Sequence, residues 1–168
     1  MDDNGKTLDF HKEVDFLAAV SGRQAKETEA EEDSCAAFGY LRGLHDRALA
    51  IEFRLSNGNR EWFTYQLLSS WRFNPSVGLL LKFTSDVTTL VLIHGSNLDL
   101  MLPGKAINFT DRGLQRHRIT YIREMDRAEL KRVGQAEPTI DKIDIVEFQS
   151  SEEQQEWITK HAAAFARG

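Results

Sequence analysis

A histidine beside a carboxylate can move a proton near neutral pH. His45-Asp46 stands just before the first long strand-like run, and His94 just after the most apolar one. At the end of a sheet these three residues would serve as base, orienter and ligand of a small hydrolase or metal-dependent enzyme. The simpler reading is a pair of loop histidines with separate surroundings. His161 falls in an apolar helical stripe, and His117 alternates with Ile119 and Tyr121 along a strand-like run. Both read as buried, hydrogen-bonded histidines. The chain has no G-x-S-x-G, H-E-x-x-H or C-x-x-C motif. Gly5-Lys6-Thr7 lacks the upstream glycine and strand that a phosphate loop requires. No catalytic residue, metal or cofactor is therefore expected.

Two groups of residues suit recognition better than catalysis. Trp71, Arg72 and Phe73 are residue types that dominate protein interfaces, and they stand together in Ser69-Ser-Trp-Arg-Phe-Asn-Pro75. If that segment is an exposed loop, it is a docking surface for another protein. If it is an edge strand, Trp71 and Phe73 turn inward and Arg72 alone shows. The second group is basic. From Arg112 to Arg132 there are seven basic residues against three acidic ones. Arg112, Arg116, Arg118 and Arg123 offer a strip for single-stranded nucleic acid. Alternation along a strand puts Arg116 and Arg118 on one face and Tyr121 on the other, which separates the ring from those charges. A solvated strand face that repels edge pairing explains the same residues.

Both groups need a frame. Arg47–Leu55 and Arg60–Leu67 are alternating runs around Asn57-Gly58, the sequence of a tight hairpin. A two-residue loop pairs Leu55 with Arg60, Arg54 with Glu61 and Phe53 with Trp62. Ile51, Phe53 and Trp62 then face a core. Phe63 and Tyr65 fall on the other face, unless the register is shifted by one. A second hairpin runs from Gly78 to Phe83, turns at Thr84-Ser-Asp86 and returns over Val87–Ile93. The return strand is apolar on both faces, as a central strand covered on two sides would be. Further along, the pattern predicts a short helix from Leu98 to Leu102, a strand from Arg116 to Arg123 and a helix from Asp126 to Gly134. A last strand covers Ile140–Phe148. Ser150 with Glu153 makes a capping box for a final helix, whose Trp157, His161 and Phe165 form the stripe that packs on the sheet.

Residues 9–20 carry helical spacing, and Arg23–Ser34 has no large apolar residue, so 1–34 reads as a short helix plus an acidic flexible linker. Residues 35–168 are then one β-rich domain. The expected fold is α+β: an antiparallel barrel or sandwich of about six or seven strands with a packed C-terminal helix.

The totals agree with a protein that works by contact. The 168 residues are 41% hydrophobic and 28% charged, enough for one cored domain. A net charge of −5 argues against a dedicated phosphate-backbone binder. One cysteine excludes an internal disulfide, and no apolar leader or spanning run occurs, so a cytoplasmic location without a membrane partner is expected. The leading expectation is a non-catalytic interaction or accessory module that binds another protein.

Overall fold

The computed structural model describes residues 30–167. The reading of residues 9–20 as a helix lies outside them. Among the described residues nine strands form two sheets. The first contains β1 (Glu32–Ser34), β2 (Phe38–Leu41), β3 (Ala50–Arg54), β4 (Arg60–Thr64) and β8 (Ile119–Arg123), in the order β1-β2-β8-β3-β4. The second contains β5 (Leu68–Asn74), β6 (Gly78–Thr84), β7 (Thr88–Ser96) and β9 (Thr139–Phe148), in the order β5-β6-β7-β9. The sheets do not close into a barrel. They face each other across one core, as in a sandwich. Strand β1 falls in the stretch read from sequence as linker, where pairing with β2 orders it despite its polarity. One pair departs from the expected antiparallel pattern: β3 runs parallel to β8.

The main core lies between the sheets. Ile51 and Phe53 of the first sheet meet Leu79, Leu81, Phe83, Val91 and Ile93 of the second. Phe83 joins the two layers, with its ring 6.1 Å from that of Phe53 and 4.7 Å from that of Phe63. The second sheet is covered on its other face as well. There Leu80, Leu90 and Leu92 pack under α2 (Ser151–His161) and the turn after it, with Phe148, Ile158, Ala162 and Phe165. This explains the unbroken apolar run in β7: Leu90 and Leu92 serve the outer core, Val91 and Ile93 the inner one. Three layers result, sheet on sheet on helix.

Several local expectations change. The hairpin forms, but its loop has three residues. Gly58 donates its N–H to Leu55 O at 3.0 Å, Leu55 donates to Asn59 O at 2.9 Å, and Gly58 sits at φ 90°. Glycine meets no steric penalty there, and such a loop closes a hairpin as readily as a two-residue one. The register moves by one: Arg54 faces Arg60, Phe53 faces Glu61, Glu52 faces Trp62 and Ile51 faces Phe63. Every β4 side chain changes face. Phe63 enters the core and Trp62 leaves it. The predicted Arg54–Glu61 pair is absent; Glu52 pairs with both Arg54 and Arg60, at 3.0 and 3.2 Å.

No helix forms over Leu98–Leu102. Asn97 takes φ 59° and its amide donates to the carbonyls of Gln135 and Glu137, which fixes a loop with Leu98 and Leu102 turned inward. The strand expected from Arg116 begins at Ile119, because a π-helical turn over Thr110–Leu114 and a left-handed His117 occupy the chain before it. His117 is therefore exposed, its ring stacked at 4.4 Å on Tyr65. The capping box belongs to α1 (Arg127–Arg132), where Asp126 and Glu129 cap reciprocally. At α2 only the Ser150 hydroxyl accepts from Glu153. The buried stripe of α2 is rotated: Gln154 and Ile158 face the sheet, while His161 is exposed and stacks on half-buried Trp157. Among the described residues no helix is long and apolar enough to cross a membrane.

Candidate functional site

Strand β4 ends the first sheet, and the hairpin geometry determines what it presents. Leu55 bonds Asn59 at one end and Tyr65 N–H bonds Leu49 O, at 2.9 Å, at the other. Antiparallel pairing alternates every residue. The peptide groups of residues 59, 61, 63 and 65 thus point to β3, and those of Arg60, Trp62 and Thr64 point away from the sheet. No described strand pairs with them. On the solvent face Trp62 is 61% exposed, and Leu49, beside the end of the hairpin, is 88% exposed. Cross-strand from Trp62 lies Glu52, which accepts from the Arg54 guanidinium and forms an ion pair with that of Arg60, and beyond it Tyr121. The guanidinium carbon of Arg54 sits 3.7 Å from the centroid of the Tyr121 ring, so that ring is already covered. Trp62 has no such cover. The two-residue loop expected from Asn57-Gly58 turns Trp62 inward, and the third loop residue turns it out.

The segment of Trp71, Arg72 and Phe73 is an edge strand, at the opposite end of chain order from β9 in the second sheet. Trp71 and Phe73 are half-buried and pack on the inner core. Arg72 faces the helix layer, where its guanidinium donates to Phe165 O at 2.7 Å. The three residues therefore do not share a face.

The basic strip divides in the same way. Arg118 is 3% exposed and donates to the carbonyls of Leu41, Arg42 and Arg112 at 3.0, 3.0 and 3.3 Å. Burial pulls its pKa down from the usual arginine value, with Arg116 adding repulsion. It is a structural residue, which corrects its reading as part of a solvated strand face. Arg123 pairs with Glu129 of α1. Arg112 and Arg116 remain half-exposed on the turn before β8. The four do not line one strand.

His45 and Asp46 lie in the loop after β2, with His45 exposed. His94 lies on β7, 3.5 Å from Asp144, and lines an open cavity of about 460 Å³ with Asp141 and His161; neither His45 nor Asp46 lines it. Among the described residues no group of three or more His, Cys, Asp or Glu is arranged to hold a metal ion.

One further cluster is brought together from distant segments. Asp33, Tyr40, Lys105 and Arg118 line a cavity of about 320 Å³. Lys105 bonds Asp33 at 2.6 Å and Tyr40 donates to Asp33 at 3.2 Å. The Lys105 hydrogen bond, with help from Ser34 N–H, holds the Asp33 carboxyl down to about 2. These charges satisfy one another, which suits a clasp between β1 and the loop after β7 better than a reactive centre.

The described residues form a two-sheet α+β domain whose edge strand β4 carries an exposed tryptophan. The chain matches no family model, and searches of curated proteins and of solved structures return no significant match.

Proposed function

We propose that this is a non-catalytic protein-interaction module that takes an extended segment of a partner protein onto the free edge of β4. The observation that carries this reading is Trp62, a large aromatic 61% exposed on a strand whose outer peptide groups have no partner strand among the described residues. Edge strands are protected by charges, proline, bulges or shortness; β4 has five residues, Arg60-Glu-Trp-Phe-Thr64, its charges stand at one end, and neither proline nor a bulge covers the stretch from Trp62 to Thr64. An added strand gains its affinity from the main-chain groups of Arg60, Trp62 and Thr64 and its selectivity from side chains. The partner segment would set an apolar residue against Trp62. It would set an acidic one near Arg54 and Arg60, which outnumber Glu52 on that face. A cytoplasmic setting, with the Cys35 thiol free, is part of the same reading.

Selection of a displayed library of random ten-residue peptides against the domain tests the proposal. Enriched peptides should lose binding at least tenfold with Trp62→Ala. They should lose it also with Thr64→Pro, which removes an outward N–H where φ is already −71° and suits proline. No enrichment, or enrichment indifferent to both changes, overturns the reading. A dimer in sedimentation velocity that Trp62→Ala dissolves would make a second copy the occupant instead.

A further inference from the structure

A second site lies on the helix side of the second sheet, away from β4. Rows across this sheet put Ser70 beside Lys82 and Lys82 beside Leu90, and Arg72 beside Leu80. Alternation sends all of these side chains to the face that α2 covers. Between sheet and helix they line a cavity of about 220 Å³ with Gln154, Gln155, Ile158 and Arg167. Three cations converge there, and no carboxylate is in the lining. Arg72 is already held by Phe165 O. The Lys82 ammonium and the Arg167 guanidinium have no ion-pair or hydrogen-bond partner among the described residues.

An independent observation comes from Gln154. It is 8% exposed, yet its side-chain amide has no hydrogen-bond partner among the described residues. Among the described residues Thr120 Oγ1 is the fully buried side-chain polar atom without a partner, so the Gln154 amide keeps an opening to solvent at the cavity it lines. A helix facing apolar Leu80 and Leu90 would more simply place an apolar residue at this position. A ligand in the cavity can therefore accept a hydrogen bond from that amide.

We propose that this cavity binds a small soluble phosphate monoester. Two charges on the phosphate answer the cluster of Arg72, Lys82 and Arg167, and its oxygens accept from Gln154 and Ser70 as well. Leu80, Leu90 and Ile158 give the apolar wall for the ester's carbon body. At about 220 Å³ the cavity is below the roughly 300–1,000 Å³ of drug-sized sites, which limits the occupant to a small molecule.

Phenyl phosphate is the probe, added to the ¹⁵N-labelled full chain at constant chloride while the Gln154 side-chain amide and the Ser70 amide are followed by NMR. Both should shift saturably, and phenol should leave them in place. Lys82→Gln and Arg167→Gln should each weaken binding at least fivefold, and the double variant should abolish it at millimolar probe. Neither side chain is bonded within the described residues, and an unchanged thermal melt checks that the fold is kept. Gln154→Leu should bind at least fivefold more weakly, with its fold checked by the same thermal melt. Absent shifts, equal shifts with phenol, or shifts unaltered in the double variant overturn the proposal. So does capture by phosphatidic acid vesicles without any response to phenyl phosphate, which would assign the cations to a lipid surface.

Discussion

Phe63 of β4 stacks on Phe83 of β6 with ring centroids 4.7 Å apart and planes 29° from parallel. This contact joins the edge of one sheet to the other and fixes the register of the hairpin. Its neighbour Trp62 points the opposite way. Phe63→Ala should therefore cost about 2–3 kcal/mol, less than the roughly 3–5 kcal/mol of a fully buried phenylalanine because the ring is half-buried. Trp62→Ala should change stability by less than about 0.5 kcal/mol. Urea unfolding of the two variants separates the registers, since the two-residue loop would exchange their costs.

Arg118 is a test of buried charge. Its guanidinium serves three main-chain carbonyls, and among the described residues no carboxylate is bonded to it. Arg118→Met should destabilise by about 3 kcal/mol, because carbonyls of Leu41 and Arg42 lose their donors in a desolvated place. Arg118→Lys should recover less than half of that, since one ammonium cannot span the same fork. Chemical denaturation with an unchanged m-value would establish both.

Acid should loosen the molecule through two carboxylates. Glu124 bridges the sheets, accepting from Ser56 N–H of the hairpin loop and Ile143 N–H of β9, each at 2.8 Å. Burial opposes its charge, but those bonds, with Lys142 nearby, outweigh burial and hold its pKa below the usual 4.5. Asp33 is held lower, at about 2, by Lys105. A depressed carboxyl stabilises fully above its unfolded pKa, and that contribution disappears as pH falls through the folded one. Unfolding free energy should thus decline as pH falls from about 5 to about 2. Glu124→Gln should be less stable at neutral pH and flatter across the upper part of that range.

Gly39 and Tyr121 are cross-strand partners, and a Cβ at Gly39 would run into the Tyr121 ring. Arg54 rests on that ring and limits its escape. Gly39→Ala should cost about 1–3 kcal/mol by overpacking. Adding Tyr121→Ala should return part of it, with a coupling of about 1 kcal/mol or more in a double-mutant cycle.

The elements that could be read from sequence are those whose pattern is local. The β6–β7 hairpin, the last strand and the cap at Ser150 each depend on residues a few positions apart. The double-faced burial of β7 was visible in Leu90-Val-Leu-Ile93 for the same reason. The failures share a cause at longer range. Asn57-Gly58 suits loops of two or three residues alike, and only the stacking of Phe63 on Phe83 decides between them. Arg118 looks like any other arginine of its strip until the carbonyls of a distant loop close around it. Trp71 and Arg72 looked like neighbours in function, but strand alternation sends one to each layer. The cavity of Arg72, Lys82, Gln154 and Arg167 draws on two strands, a helix and the turn beyond it, a combination with no linear signature.

Strand β8 lies between β2 and β3, parallel to the latter, although the whole β5–β7 meander intervenes in the chain. The early strands thus wait for a late one, and β9 then crosses back to complete the other layer. Neither layer is a separable folding unit. A polypeptide released from the ribosome before residue 123 would have β2 and β3 side by side in sequence but with no strand to join them. Such wiring makes assembly slow and all-or-none, governed by the closing of long loops.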